Sequence, residues 1–158
     1  MKPPTSSSAA RLRRASGGER PPAAASSPST LVRGRFLLLT TFRASGEPVS
    51  TPMWFAARNG RMYLVTACNA GKLGRLRADP RVLVAPCRSQ GRPLGPAVAA
   101  TATLLEPHLS ADAARALSRR YLLPSWLIER FLRRRGRGAP PVYIELTVTE
   151  ADERSDAR

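Results

Sequence analysis

The 158-residue chain reads as a mainly β protein with peripheral helices, folded as a small antiparallel barrel. Three observations point there. Short β-compatible runs are separated by hairpin-length turns, and helical periodicity is confined to a brief segment near residue 72 and a longer one after residue 110. The resulting order is three strands, a short helix, two strands, helices and a final strand, whereas a parallel βαβ sheet needs a crossover between every pair of strands. An OB-like barrel or another Greek-key barrel fits the same order.

Residues 1–30 combine Ser6-Ser7-Ser8, Pro21-Pro22 and Ala23-Ala24-Ala25 with scattered arginines and almost no large apolar side chain. Such a segment buries too little surface to offset its ordering entropy and reads as a low-complexity tail, with no apolar stretch of a secretory signal. The folded domain is expected over 31–149. Arg35 to Phe42 is a largely apolar β run, Ala44-Ser45-Gly46-Glu47 a turn, and Val49 to Ala57 a second strand. Arg58-Asn59-Gly60-Arg61 places Asn-Gly between two strand-like runs, the strongest hairpin signal in the chain, and Met62 to Ala67 returns as a third strand, completing a meander.

A short helix is expected over 72–79, stopped by Asp79-Pro80, with Leu73 and Leu76 on one face. Arg81 to Arg88 is a fourth strand, Ser89 to Pro96 a Gly/Pro-rich connection, and Ala97 to Leu105 a fifth strand. Ser110 can cap a helix over Ala111 to Tyr121. Pro124-Ser125 opens another over Trp126 to Arg135, whose apolar face would be Leu127, Ile128, Phe131 and Leu132. After the break at Gly136 to Pro141, Val142 to Thr149 alternates Val142, Ile144, Leu146 and Val148 against Tyr143, Glu145, Thr147 and Thr149, a half-buried last strand. Residues 150–158 read as a flexible end.

One domain of this length buries a sizeable core. Apolar runs such as Phe36-Leu37-Leu38-Leu39 fall far short of the ~20 residues that span a bilayer, so no membrane is expected. Net charge of +15 suggests a polyanionic partner, yet only 6% of residues are aromatic, too few for an extended stacking platform, and no specific nucleic acid is expected. Cys68 and Cys87 form no C-x-x-C pair and flank no histidine at ligand spacing, which argues against zinc and for free thiols in a cytoplasmic setting. His108, the only histidine, follows a proline in a connection and reads as solvated. No G-x-S-x-G occurs, and Thr66 and Leu73 stand where a Walker motif around Gly71-Lys72 needs glycine and Ser or Thr.

Beyond position 2, Lys72 is the only lysine in a chain of 26 basic residues. It follows Gly71 at the start of the expected short helix. A glycine permitting close backbone approach, freed helix amides and a flexible point charge compose a phosphate seat, set against a plain solvated charge at a helix end.

Gly46-Glu47-Pro48-Val49-Ser50-Thr51-Pro52-Met53-Trp54-Phe55, then Gly71-Lys72-Leu73-Gly74-Arg75-Leu76-Arg77-Ala78-Asp79-Pro80-Arg81-Val82, then Ala85-Pro86-Cys87-Arg88 and Gly91-Arg92-Pro93-Leu94-Gly95-Pro96 form an ordered set. Together they resemble the split β-barrel flavin and deazaflavin oxidoreductases of the pyridoxamine 5'-phosphate oxidase-like superfamily, most closely its coenzyme F420-dependent branch. The resemblance covers residues 31–149 and implies a split antiparallel β-barrel of the FMN-binding type. It further implies a homodimer with the cofactor between subunits, F420 as cofactor with FMN as the alternative, and a small-molecule substrate with an activated double bond. On this resemblance Thr66, Gly71, Lys72 and Arg75 would meet the cofactor phosphate. Ser50, Thr51, Pro52, Met53 and Trp54 would line its ring or ribityl chain, and Pro86, Cys87 and Arg88 would approach from the fourth strand, across the dimer. The glutamyl tail of F420 would be attracted by Arg88 and Arg92. The Arg-x-x-Leu-Leu-Lys pattern and the C-terminal Arg/Trp signature of true pyridoxamine-phosphate oxidases are absent. Two further readings are a non-catalytic flavin, deazaflavin or haem carrier, and a basic nucleic-acid-binding barrel using Arg130, Arg133, Arg134, Arg135 and Arg137.

Overall fold

The computed structural model describes residue 31 and residues 34–149; the tails expected at 1–30 and 150–158 lie outside the described residues. The elements in chain order are β1 (Phe36–Phe42), β2 (Pro48–Met53), β3 (Phe55–Arg58), β4 (Arg61–Thr66), α1 (Gly71–Ala78), β5 (Arg81–Cys87), β6 (Val98–Leu104), a 3-10 turn (Pro107–Leu109), α2 (Ala111–Tyr121), α3 (Ser125–Arg135) and β7 (Val142–Val148). Seven antiparallel strands form one sheet in the order β2-β1-β5-β6-β7-β4-β3. This is the mainly β, split-barrel architecture anticipated from the sequence.

The second expected strand is realised as two. It breaks at Trp54, and its halves occupy opposite edges of the sheet, β2 against β1 and β3 against β4. The expected meander is therefore replaced by two local hairpins whose shared run crosses from one edge to the other. Pro52 pairs with Leu38 on the edge strand, where its missing N–H costs no interior ladder bond. The sheet curls until its two edges are successive parts of one chain segment, which leaves neither as a long open template. The β3–β4 hairpin turns as expected at Asn59 and Gly60, with φ of 53° and 75°, both in the left-handed region that a type I′ turn requires.

Inside the curl, Leu37, Leu39, Phe55, Leu64, Val82, Val84, Ile144 and Leu146 pack into the main core, each such side chain contributing about 1.5–3 kcal/mol. Helix α1 follows β4 and inserts Leu73 and Leu76 into that core, so it closes the barrel end where β1 and β4 stop. A second core lies outside the sheet. There Ala113, Ala116, Leu117 and Ile128 of α2 and α3 cover Ala56, Tyr63, Val65 and Tyr143. Tyr143 is thus buried together with Ile144 and Leu146, because β7 is covered on both faces rather than on one.

Two local expectations are corrected. The Ser110 hydroxyl does not cap α2; it donates to the Glu106 carbonyl at 2.9 Å, and the Ser110 carbonyl accepts from Ala114 N–H. On α3 only Ile128 is buried and Leu132 packs partly, whereas Leu127 and Phe131 face outward. The helix uses a narrow stripe because it rests on α2 and one part of the sheet, so the periodic apolar pattern overstates its buried face.

Candidate functional site

The start of α1 brings four of the expected residues together. Thr66 ends β4, buried, and its hydroxyl accepts from Lys72 Nζ at 3.4 Å. One turn on, Arg75 Nε donates to Thr41 Oγ1 at 2.8 Å, and the buried Thr41 hydroxyl reaches the Val49 carbonyl of β2 at 3.4 Å. Gly71 sits against this arginine: a Cβ added there would lie 3.3 Å from Arg75 Nη1. Any side chain at 71 would therefore crowd the guanidinium, while glycine leaves the helix start open.

The electrostatics of the pair are those of a site built for negative charge. Burial, and secondly the nearby Arg75, holds the Lys72 ammonium below its ordinary pKa. Burial, and secondly Arg43, does the same to Arg75. Among the described residues neither cation has a carboxylate within ion-pair distance, and Arg43 meets only the exposed Glu47 at 3.9 Å. Two crowded, partly desolvated cations beside open helix amides are relieved when an anion arrives. A phosphate-bearing cofactor fits these residues.

The remaining expected residues divide by height along the sheet. Ser50 stands near the same barrel end, its hydroxyl 2.8 Å from Thr40 Oγ1, and Thr51 pairs with Leu39. Met53 is buried in the main core opposite Leu37. Trp54 stacks on Tyr121 with ring centroids 4.8 Å apart. Pro86 and Cys87 are buried opposite Leu37 and Phe36 at the far end of β1, and Arg88 lies just beyond them. From Thr41 to Leu37 is four residues, roughly 13 Å along the strand, so the chain does not itself bring Pro86, Cys87 and Arg88 to Lys72. Burial pushes the Cys87 thiol up to about 11, which leaves it inert at neutral pH. His108 is exposed on the 3-10 turn, and no cluster of three metal-ligating side chains occurs among the described residues. Among them, too, no helix is long and apolar enough to cross a membrane.

Thr41 and Tyr121 were not legible as site residues. Tyr121 Oη accepts from Phe55 N–H at 3.0 Å and lies 2.9 Å from the Arg35 carbonyl and 3.1 Å from the Phe55 carbonyl. Arg120 beside it places its guanidinium 4.5 Å over the Phe55 ring and donates to the Gly34 carbonyl. The end of α2 thereby clamps the strand break at Trp54. Only Thr41 had a signal: it continues the inward alternation of Leu37 and Leu39, so its hydroxyl had to be buried.

Comparison with known proteins agrees with this fold. The model of the family described as pyridoxamine 5'-phosphate oxidase matches residues 30–154. The haem storage protein HutZ from Vibrio cholerae is similar in structure, with 13% identity, a TM-score of 0.57, and coverage of 78% of this chain and 87% of that one. A conserved hypothetical protein, Rv2991 from Mycobacterium tuberculosis, is 21% identical with a TM-score of 0.55 over 77% of this chain and 78% of its own. A FAD-binding protein from Mesorhizobium loti is 18% identical with a TM-score of 0.51 over 77% and 86%. At these identities the likeness is one of fold. No curated protein sequence matches this chain. With the curled seven-stranded sheet and a family match over most of the length, the chain belongs to the pyridoxamine 5'-phosphate oxidase family.

Proposed function

We propose that the protein is a coenzyme F420-dependent oxidoreductase acting on a small organic substrate with an activated double bond. The observation that carries this is the pair Lys72 and Arg75, partly desolvated, without carboxylate partners among the described residues, at the start of α1. Lys72, held by Thr66, and Arg75, held by Thr41, bind the cofactor phosphate, and Gly71 keeps the approach open. The deazaflavin supplies the hydride chemistry itself, so the chain has to bind, orient and exclude water rather than provide a nucleophile. Ser50 and Thr51 flank the same end of the barrel on β2. In this reading Pro86, Cys87 and Arg88 reach the cofactor at Lys72 from a second copy, in a homodimer with the site between subunits. Half-buried Phe36, Leu38 and Phe42 alternate outward on β1, away from the core, and give that copy an apolar surface to cover.

Fluorescence titration with F420 and, separately, with FMN tests the reading. F420 should bind at least ten-fold tighter than FMN, and Lys72→Ala should weaken it by a further ten-fold or more, about 1.4 kcal/mol for a lost charge-assisted contact. Tighter FMN binding overturns the cofactor assignment. Unchanged F420 affinity in Lys72→Ala overturns the phosphate seat.

A further inference from the structure

The outer side of α3 carries a groove of about 550 Å³ whose lining includes none of Thr66, Gly71, Lys72 and Arg75. Among its lining residues are Trp126, Glu129, Arg130, Arg133, Arg134 and Arg137, four arginines against one glutamate. Trp126 is 62% exposed. Among the described residues Arg130, Arg134 and Arg137 make no ion pair, and Arg133 Nη1 donates to the Gly138 carbonyl at 3.3 Å.

Arg137 makes the groove more than a solvated helix end. Helix α3 finishes in a Schellman closure, Gly138 N–H to the Arg133 carbonyl at 2.7 Å, and Arg137 occupies the left-handed position with φ of 56°. Glycine is the usual residue there, and a branched or long side chain is disfavoured. The chain keeps an arginine in that conformation, at a position that lines the groove.

We infer that this groove docks single-stranded nucleic acid without sequence preference, one base stacking on Trp126 and successive phosphates meeting Arg130, Arg133, Arg134 and Arg137. A positively charged groove with an exposed aromatic is the arrangement by which such strands are held, because every base offers a flat face and every phosphate a charge. From Trp126 to Arg134 is eight residues, about 12 Å of helix, longer than one phosphate can serve, which favours a strand over a free nucleotide. A bilayer fits less well. On the helical wheel Arg130 and Arg134 separate Trp126 from Leu127 and Phe131, so no continuous apolar strip faces outward.

Fluorescence anisotropy with a labelled oligothymidine of about twelve nucleotides tests this on the full chain. Binding should weaken with salt along a log–log slope of about −2 to −3, the release expected for three or four phosphates on a single strand. Trp126→Ala should weaken it roughly ten-fold. Arg137→Gly should weaken it several-fold while thermal stability holds or rises, since glycine relieves the left-handed position. Lys72→Ala should leave it unchanged, which separates this groove from the cofactor site. The inference is overturned by an oligonucleotide that does not bind at low salt, or by binding indifferent to both groove variants. It is equally overturned by binding that Lys72→Ala abolishes, by AMP binding as tightly as the strand, or by phosphatidylglycerol vesicles competing the oligonucleotide away.

Discussion

Tyr121→Phe removes a single oxygen from the hinge on which the barrel closes. That hydroxyl accepts from Phe55 N–H and lies within 3.1 Å of two carbonyls, all contributed by segments at least 66 residues away in sequence. Because the phenol has one proton, it donates to Arg35 or to Phe55 but not fully to both, so the mutation costs two good hydrogen bonds. The ring remains, and with it the stack on Trp54. The lasting damage is the Phe55 N–H, left without its partner beside a fully buried side chain, at about 1–3 kcal/mol. For a folded unit of this size that corresponds to a fall in Tm of about 5–10 °C, read by calorimetry or circular dichroism with far-UV signal retained. Tyr121→Ala should cost more, since an aromatic pair worth about 0.5–1.5 kcal/mol goes as well. A Tyr121→Phe protein within 0.5 kcal/mol of the parent in urea unfolding, a bound set as roughly half of a typical net hydrogen bond, would refute the clamp.

Thr41→Val keeps the buried shape and removes the acceptor for Arg75 Nε; the expected result is a loss of about 1 kcal/mol in stability and several-fold weaker binding of phosphate-bearing ligand, measured by titration. Undiminished affinity would show that Arg75 needs no positioning. Burial, and secondly Glu129, pushes the Tyr143 phenol up to about 12. Its folded pKa is raised above the ordinary value near 10, so its contribution is intact below about pH 10 and is lost as pH rises towards 12. Urea midpoints should therefore fall across that window, and Tyr143→Phe should flatten the slope; an equal slope in the variant would contradict the burial of this phenol.

The strands, the short helix and the Asn59-Gly60 hairpin were legible because each is written in local chemistry: alternation along β1, apolar spacing at Leu73 and Leu76, and turn residues able to take positive φ. The Gly71-Lys72 pair at a helix start was legible for the same reason, whereas Thr66 and Arg75 were expected only from the family resemblance. Two features of the site were not. Arg75 finds Thr41 across 34 residues, and Tyr121 finds Phe55 across 66, contacts that no window of sequence contains.

The sequence by itself determined a β-rich antiparallel domain with one lysine poised at a helix start. Only the tertiary structure decided that the run Pro48–Arg58 splits at Trp54, so that β2 and β3 take opposite edges, and that Pro86, Cys87 and Arg88 lie a strand length from Lys72. The physical reason is the same in each case. Periodicity specifies which face of a segment seeks burial, but which partner supplies that burial depends on packing the whole sheet and its helices at once.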